Sequence, residues 1–123
     1  GSHAAGAAEL LGDRDLVAGV LADVETCALP EKEKALFRYL HKVNLEPWAI
    51  TRADVDVLRA IGWSDEAVYD AVTVCALFNF YNRWCDATGV RDMRPASYDM
   101  SGKRIAAHGY AAAAAPKVGS EEK

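Results

Sequence analysis

Apolar residues along this chain recur at three- and four-residue intervals, and no stretch alternates polar and apolar for long enough to read as a strand. The pattern predicts an all-α fold. Residues 4–22 carry Leu10, Leu11, Val17, Val20 and Leu21 in an alanine-rich background, with Gly12 and Asp13 marking a break into two short helices. A second segment opens at Pro30, whose fixed φ suits a first helical turn, and Glu31 and Glu33 sit near the positive end of its dipole. Ala35, Leu36, Tyr39, Leu40 and Val43 then form one buried stripe. Pro47 blocks a smooth continuation, so residues 44–50 read as a loop carrying Trp48. Thr51 caps a short helix, with Asp54 as the acid of a capping box, Val55 and Leu58 on the core face, and Gly62 at its end. Ser64 caps the longest helix, which carries Asp65 and Glu66 in its first turn and stops at Gly89. Residues 91–104 read as an irregular connection, residues 105–115 as a last helix and residues 116–123 as a solvated tail.

The longest helix carries an unusual mixture in residues 76–89, ALFNFYNRWCDATG. At about 100° per residue, Cys75, Asn79, Asn82, Arg83 and Asp86 fall within one arc of about 100°, while Val72, Leu77, Phe80, Tyr81 and Trp84 cover much of the remainder. These polar groups form a seam. Left without partners in a core they would cost on the order of 1 to 3 kcal/mol each, so they are expected to find hydrogen bonds, with Arg83 and Asp86 able to pair across one turn. The plainer role is a satisfied seam that fixes helix register or a subunit contact. The functional one is the lining of a site.

Composition narrows the classes. At 123 residues, 51% hydrophobic and 26% charged, the chain fits one domain with a modest core. A net charge of -4 and the lack of a basic cluster argue against a nucleic-acid partner. The longest apolar run, residues 71–80, is interrupted by Thr73 and Asn79 and falls short of the roughly 20 residues that span a bilayer. No basic head precedes an apolar run at the start, so a cytoplasmic chain with no membrane partner is expected.

Cys27, Cys75 and Cys85 form no CxxC pair and no zinc-ligand spacing, and neither a metal nor another cofactor is expected. Cys75 and Cys85 lie about 15 Å apart along one helix, too far to bond within a subunit. They read as small side chains in a reducing compartment, with a reactive thiol as the alternative. His41 and His108 have no cysteine or acid at motif spacing and read as surface groups. Trp48, Trp63 and Trp84 are core candidates that could instead line a pocket for a small-molecule ligand.

The run ADVDVLRAIGWSDEAVYDAVTVCALFNFYNRWCDATGV, preceded by EKEKALFRYLHKVNLEPWAIT, resembles the peroxidase-related branch of the carboxymuconolactone decarboxylase and AhpD-like superfamily. Phe78, Asn79, Asn82, Arg83, Asp86, Ala87 and Gly89 match its long-helix motif, SGKRIAAHGY looks like its closing segment, and the likeness covers residues 4–110. The resemblance implies an all-helical bundle that forms homo-oligomers, with part of the helical surface at a subunit contact. It also implies alkylhydroperoxidase-like chemistry through a CxxC pair and a histidine four residues on. In that chemistry a thiolate attacks the peroxide and a second cysteine resolves the sulfenic acid.

The departure lies in that motif. Aligned with the family's post-cysteine helix, HAAGAAELLG places His3 at the motif histidine and both cysteines upstream of Gly1. Residues 1–3 read as an affinity-tag remnant, with a native His3 as the alternative and the sole catalytic candidate. Two functions are therefore expected to compete. One is an alkylhydroperoxidase-like oxidoreductase scaffold that is inactive in this chain, and the other is a non-catalytic helical module for oligomerisation or ligand binding. Decarboxylase chemistry would need a histidine and acid set in a pocket, and no such set is visible.

Overall fold

The computed structural model describes residues 1–110, and every regular element among them is helical. Six α-helices follow one another: α1 (Ser2–Leu11), α2 (Arg14–Ala22), α3 (Glu31–Leu45), α4 (Arg52–Ala60), α5 (Asp65–Thr88) and α6 (Pro95–His108). The break between α1 and α2 falls at Gly12, whose φ of 67° closes α1 in the left-handed region that glycine enters freely.

Two compact units divide the chain, Gly1–Val17 with Met93–Lys123, and Ala18–Asp92. In the first, α1 packs on α6 through small residues, with Gly6, Ala8 and Gly102 buried. A Cβ on Gly102 would fall 2.6 Å from Ala5 Cβ and 2.8 Å from the Gly6 nitrogen, so the two backbones approach as closely as glycine permits. Arg14 adds exposed ion pairs to Asp99 at 3.1 Å and Glu9 at 3.4 Å.

In the second unit α3 runs up, α4 down and α5 up. Three contacts set this order. Lys42 Nζ at the end of α3 meets Asp54 Oδ1 at the start of α4 at 2.7 Å. At the other end, Lys32 Nζ donates to the Gly62 carbonyl at 2.9 Å while Trp63 Nε1 donates to the Lys32 carbonyl at 2.9 Å, and the ammonium lies 4.7 Å from the Trp63 ring centre. Further up, Cys75 Sγ of α5 approaches the Leu40 carbonyl of α3 at 4.0 Å. Leu58 and Val68 are the buried apolar residues of this unit.

Three sequence expectations need correction. Residues 91–104 are largely helical, because Pro95 opens α6 at a first-turn position where its missing N–H costs nothing. Of the expected helix over residues 105–115, residues 105–108 close α6, Gly109 ends it at φ 63°, and residues 111–115 lie outside the described residues, as does the expected tail. The loop expected over residues 44–50 is tighter, since α3 continues through Leu45 and Pro47–Ala49 forms one 3-10 turn. Trp48 on that turn is 82% exposed.

Candidate functional site

The polar seam depends on how α5 is started and stopped. Ser64 Oγ accepts from the Ala67 amide at 3.2 Å, Asp65 and Glu66 fill the first turn, and Gly89 ends the helix at φ 71°. Between these caps, Val68 and Cys75 face α3, and the seam is the downstream continuation of that face.

Within the seam a ladder climbs in four-residue steps. Half-buried Asn79 donates through Nδ2 to the Cys75 carbonyl at 3.1 Å and lies 3.6 Å from its sulfur. Arg83 Nη1 in turn donates to Asn79 Oδ1 at 2.5 Å and to the Asn79 carbonyl at 3.0 Å. The expected Arg83–Asp86 pair is therefore replaced by Arg83–Asn79. Helical side chains lean toward the N-terminus, which lays the guanidinium over the turn that Asn79 occupies. Asn82 and Asp86 are exposed, and neither side chain makes a hydrogen bond or ion pair among the described residues. The structure thus joins Asn79 and Arg83 to Cys75 and leaves the other two seam residues facing outward.

The opposite side of α5 is apolar. Val74, Leu77, Phe80, Tyr81 and Trp84 fall within an arc of about 120° centred roughly opposite the seam, and each is 48–61% exposed. Phe80 and Tyr81 meet edge to face at 5.3 Å. Beyond the Leu40–Cys75 contact α3 has about 8 Å left to run and α5 about 20 Å, so the last turns of α5 outrun their partner.

A cavity of about 600 Å³ lies where the end of α2 and the turn after it meet α3, walled by Val20, Leu21, Val24, Phe37, Arg38 and His41. It is large enough for a small molecule. Arg38 at its edge is already engaged, donating to Glu25 at 2.7 and 2.6 Å and to Glu31, and these bonds hold both carboxyl groups below the usual carboxylate range. His41 makes no hydrogen bond among the described residues and is the open polar group of the wall. Sequence reasoning missed this cavity. The available signal was Phe37, an aromatic residue lying off the buried stripe of α3.

Elsewhere on α3, Lys42 and two groups of Thr51 hold Asp54 down at about 2. Its carboxylate accepts from Lys42 Nζ and from both the amide and the hydroxyl of Thr51, each at 2.7 Å. The Lys42 bond ties α4 to α3, and the Thr51 bonds close the α4 cap.

The three thiols are free. Cys27 Sγ donates to the Val24 carbonyl at 3.0 Å, and Cys75 meets a backbone carbonyl and an amide, neither of which takes a proton at neutral pH. His3 lies on α1 in the first unit, with its ring centre 5.9 Å from that of Tyr110. Among the described residues no cluster of histidine, cysteine and acid could hold a metal ion, and no helix is long and apolar enough to cross a membrane. The tryptophans lie away from the 600 Å³ cavity: Trp48 is on its exposed turn, Trp63 is clasped by Lys32 and Trp84 is on the outer side of α5. Neither the protein-family models nor the curated proteins supply a match for this chain, so the reading of the site rests on its own residues.

Proposed function

We propose that this chain is an alkylhydroperoxidase-like scaffold that acts by associating with further copies, and that its own 123 residues perform no thiol peroxidase chemistry. The observation that carries this reading is the apolar outer side of α5. A helix normally turns its apolar stripe toward its own core, and here five large side chains in a row turn away from α3. The likeness of residues 4–110 to the AhpD-like superfamily supports the same reading, since those proteins assemble from helical subunits. The three free thiols suit a reducing, cytoplasmic setting.

Peroxidase chemistry needs a thiolate, a neighbouring proton acceptor and a resolving thiol within bonding distance. Cys27, Cys75 and Cys85 offer no such set. The purified chain is therefore expected to consume an alkyl hydroperoxide in the presence of dithiothreitol no faster than buffer does. Turnover that Cys75→Ser or Cys85→Ser abolishes would overturn this view.

A second reading, a ligand-binding module, is favoured by the cavity beside Phe37 and His41. Apolar at Val20, Leu21, Val24 and Phe37, edged by the charged Asp23, Glu25 and Arg38, and open at the His41 imidazole, it suits a small molecule with an apolar body and a hydrogen-bonding group.

A further inference from the structure

We propose that the outer side of α5 is a two-fold contact at which α5 packs antiparallel against α5 of a second copy, centred between Phe80 and Tyr81. The proposal rests on the assembly reading above and specifies its partner, direction and register.

The apolar side chains are self-complementary about that centre. An antiparallel pairing with its axis between Phe80 and Tyr81 sets Phe80 against Tyr81 of the other copy and Leu77 against Trp84, so each aromatic ring meets an apolar neighbour. The five side chains keep about half of their surface open, together on the order of 500 Å² per copy. Two copies therefore bury about 1,000 Å², at the lower end of specific interfaces, which suits a dimer that dissociates on dilution.

Charge decides the direction. Asp70 stands on the same outer arc ten residues before Phe80, and Arg91 lies in the irregular segment just past the Gly89 end of α5, ten residues after Tyr81. Both are exposed, and neither makes an ion pair among the described residues. In the antiparallel register Asp70 of each copy lies toward the α5 C-terminal end of the other, where Arg91 follows the Gly89 cap, whereas a parallel pair would bring acid beside acid. The helix dipoles also oppose each other favourably in the antiparallel arrangement.

The experiment is sedimentation equilibrium of the full chain and three variants, with circular dichroism to establish that each is helical. The wild type is expected to be a dimer at tens of micromolar. Asp70→Lys and Arg91→Glu each create like-charge contacts at both ends of the interface and are expected to weaken association about tenfold. An equimolar mixture of the two restores opposite charges at both ends and is expected to associate about as tightly as the wild type. Phe80→Asp is expected to be monomeric. A wild-type dimer indifferent to both charge reversals, or a mixture no tighter than its components, would overturn the antiparallel register while leaving assembly intact. A dimer unaffected by Phe80→Asp, or a trimer, would overturn the two-fold contact on α5. A wild-type monomer at high micromolar concentration would overturn both this contact and the assembly reading.

Discussion

Asn79 and Asn82 are one turn apart on the same seam, yet they have different roles. Asn79 takes a bond from Arg83 and gives one to the Cys75 carbonyl while half-buried, so Asn79→Ala removes both side-chain bonds and leaves Arg83 with the residue 79 carbonyl alone. The expected cost is about 1 kcal/mol, whereas Asn82→Ala, which removes an exposed amide with no partner among the described residues, should stay within about 0.5 kcal/mol. Urea denaturation of both variants checks the contrast. Asp54 supplies a pH-dependent case. Its folded pKa of about 2 lies below the ordinary 3.8, so its contribution is fully present above about pH 4 and is lost as pH falls toward 2. Asp54→Asn is expected to be less stable than the wild type at pH 6, with the gap closing between about pH 4 and pH 2. A gap that stayed constant across that window would show that the bonds to Lys42 and Thr51 do not depend on the charge.

At the scale of elements, local chemistry was legible and tertiary chemistry was not. Thr51 with Asp54, Ser64 with Asp65, and the glycines at positions 12 and 89 announce their helix ends, because caps are made by residues a few positions apart. The Asn79–Arg83 link escaped for a local reason, since Arg83 has two reachable partners on one helix and the spacing alone does not rank them. The Lys42–Asp54 tie and the cavity beside Phe37 escaped because their residues meet only after α3 has packed. Helix α6 is hidden in the sequence for a related reason. Ser97, Ser101 and Gly102 look like loop residues, and Gly102 is in fact the point at which α6 comes closest to α1. Alanine in a helix interior is ordinarily favoured over glycine by about 1 kcal/mol. At Gly102 the added methyl would meet the backbone at 2.7 and 2.8 Å, and Gly102→Ala is expected to lose about 1 to 3 kcal/mol instead. Gly6→Ala is the control, because its Cβ would stand 3.4 Å from Ile105 Cγ2, an ordinary contact, and it should be neutral or stabilising. Thermal melts of the two variants moving in opposite directions would locate the tight crossing at Gly102.

Ala8, Leu58 and Val68 are the buried apolar side chains among the described residues, while Phe80, Tyr81 and Trp84 stay about half exposed. For the whole molecule this distribution ties stability to association. Apolar area left in water contributes nothing to folding, and the same area covered by a second copy stabilises both copies by mass action. The melting temperature should therefore depend on protein concentration, which it does not for a monomeric domain. For a chain of this size, a hundredfold rise in concentration is expected to raise the midpoint by about 5 °C. Phe80→Asp should abolish that dependence, because a buried carboxylate at the centre of the contact opposes association more strongly than a lost ring alone would. Scanning calorimetry at two concentrations of wild type and variant reads both effects. A wild-type midpoint that did not move would mean that the exposed side of α5 contributes nothing to the stability of this protein in solution.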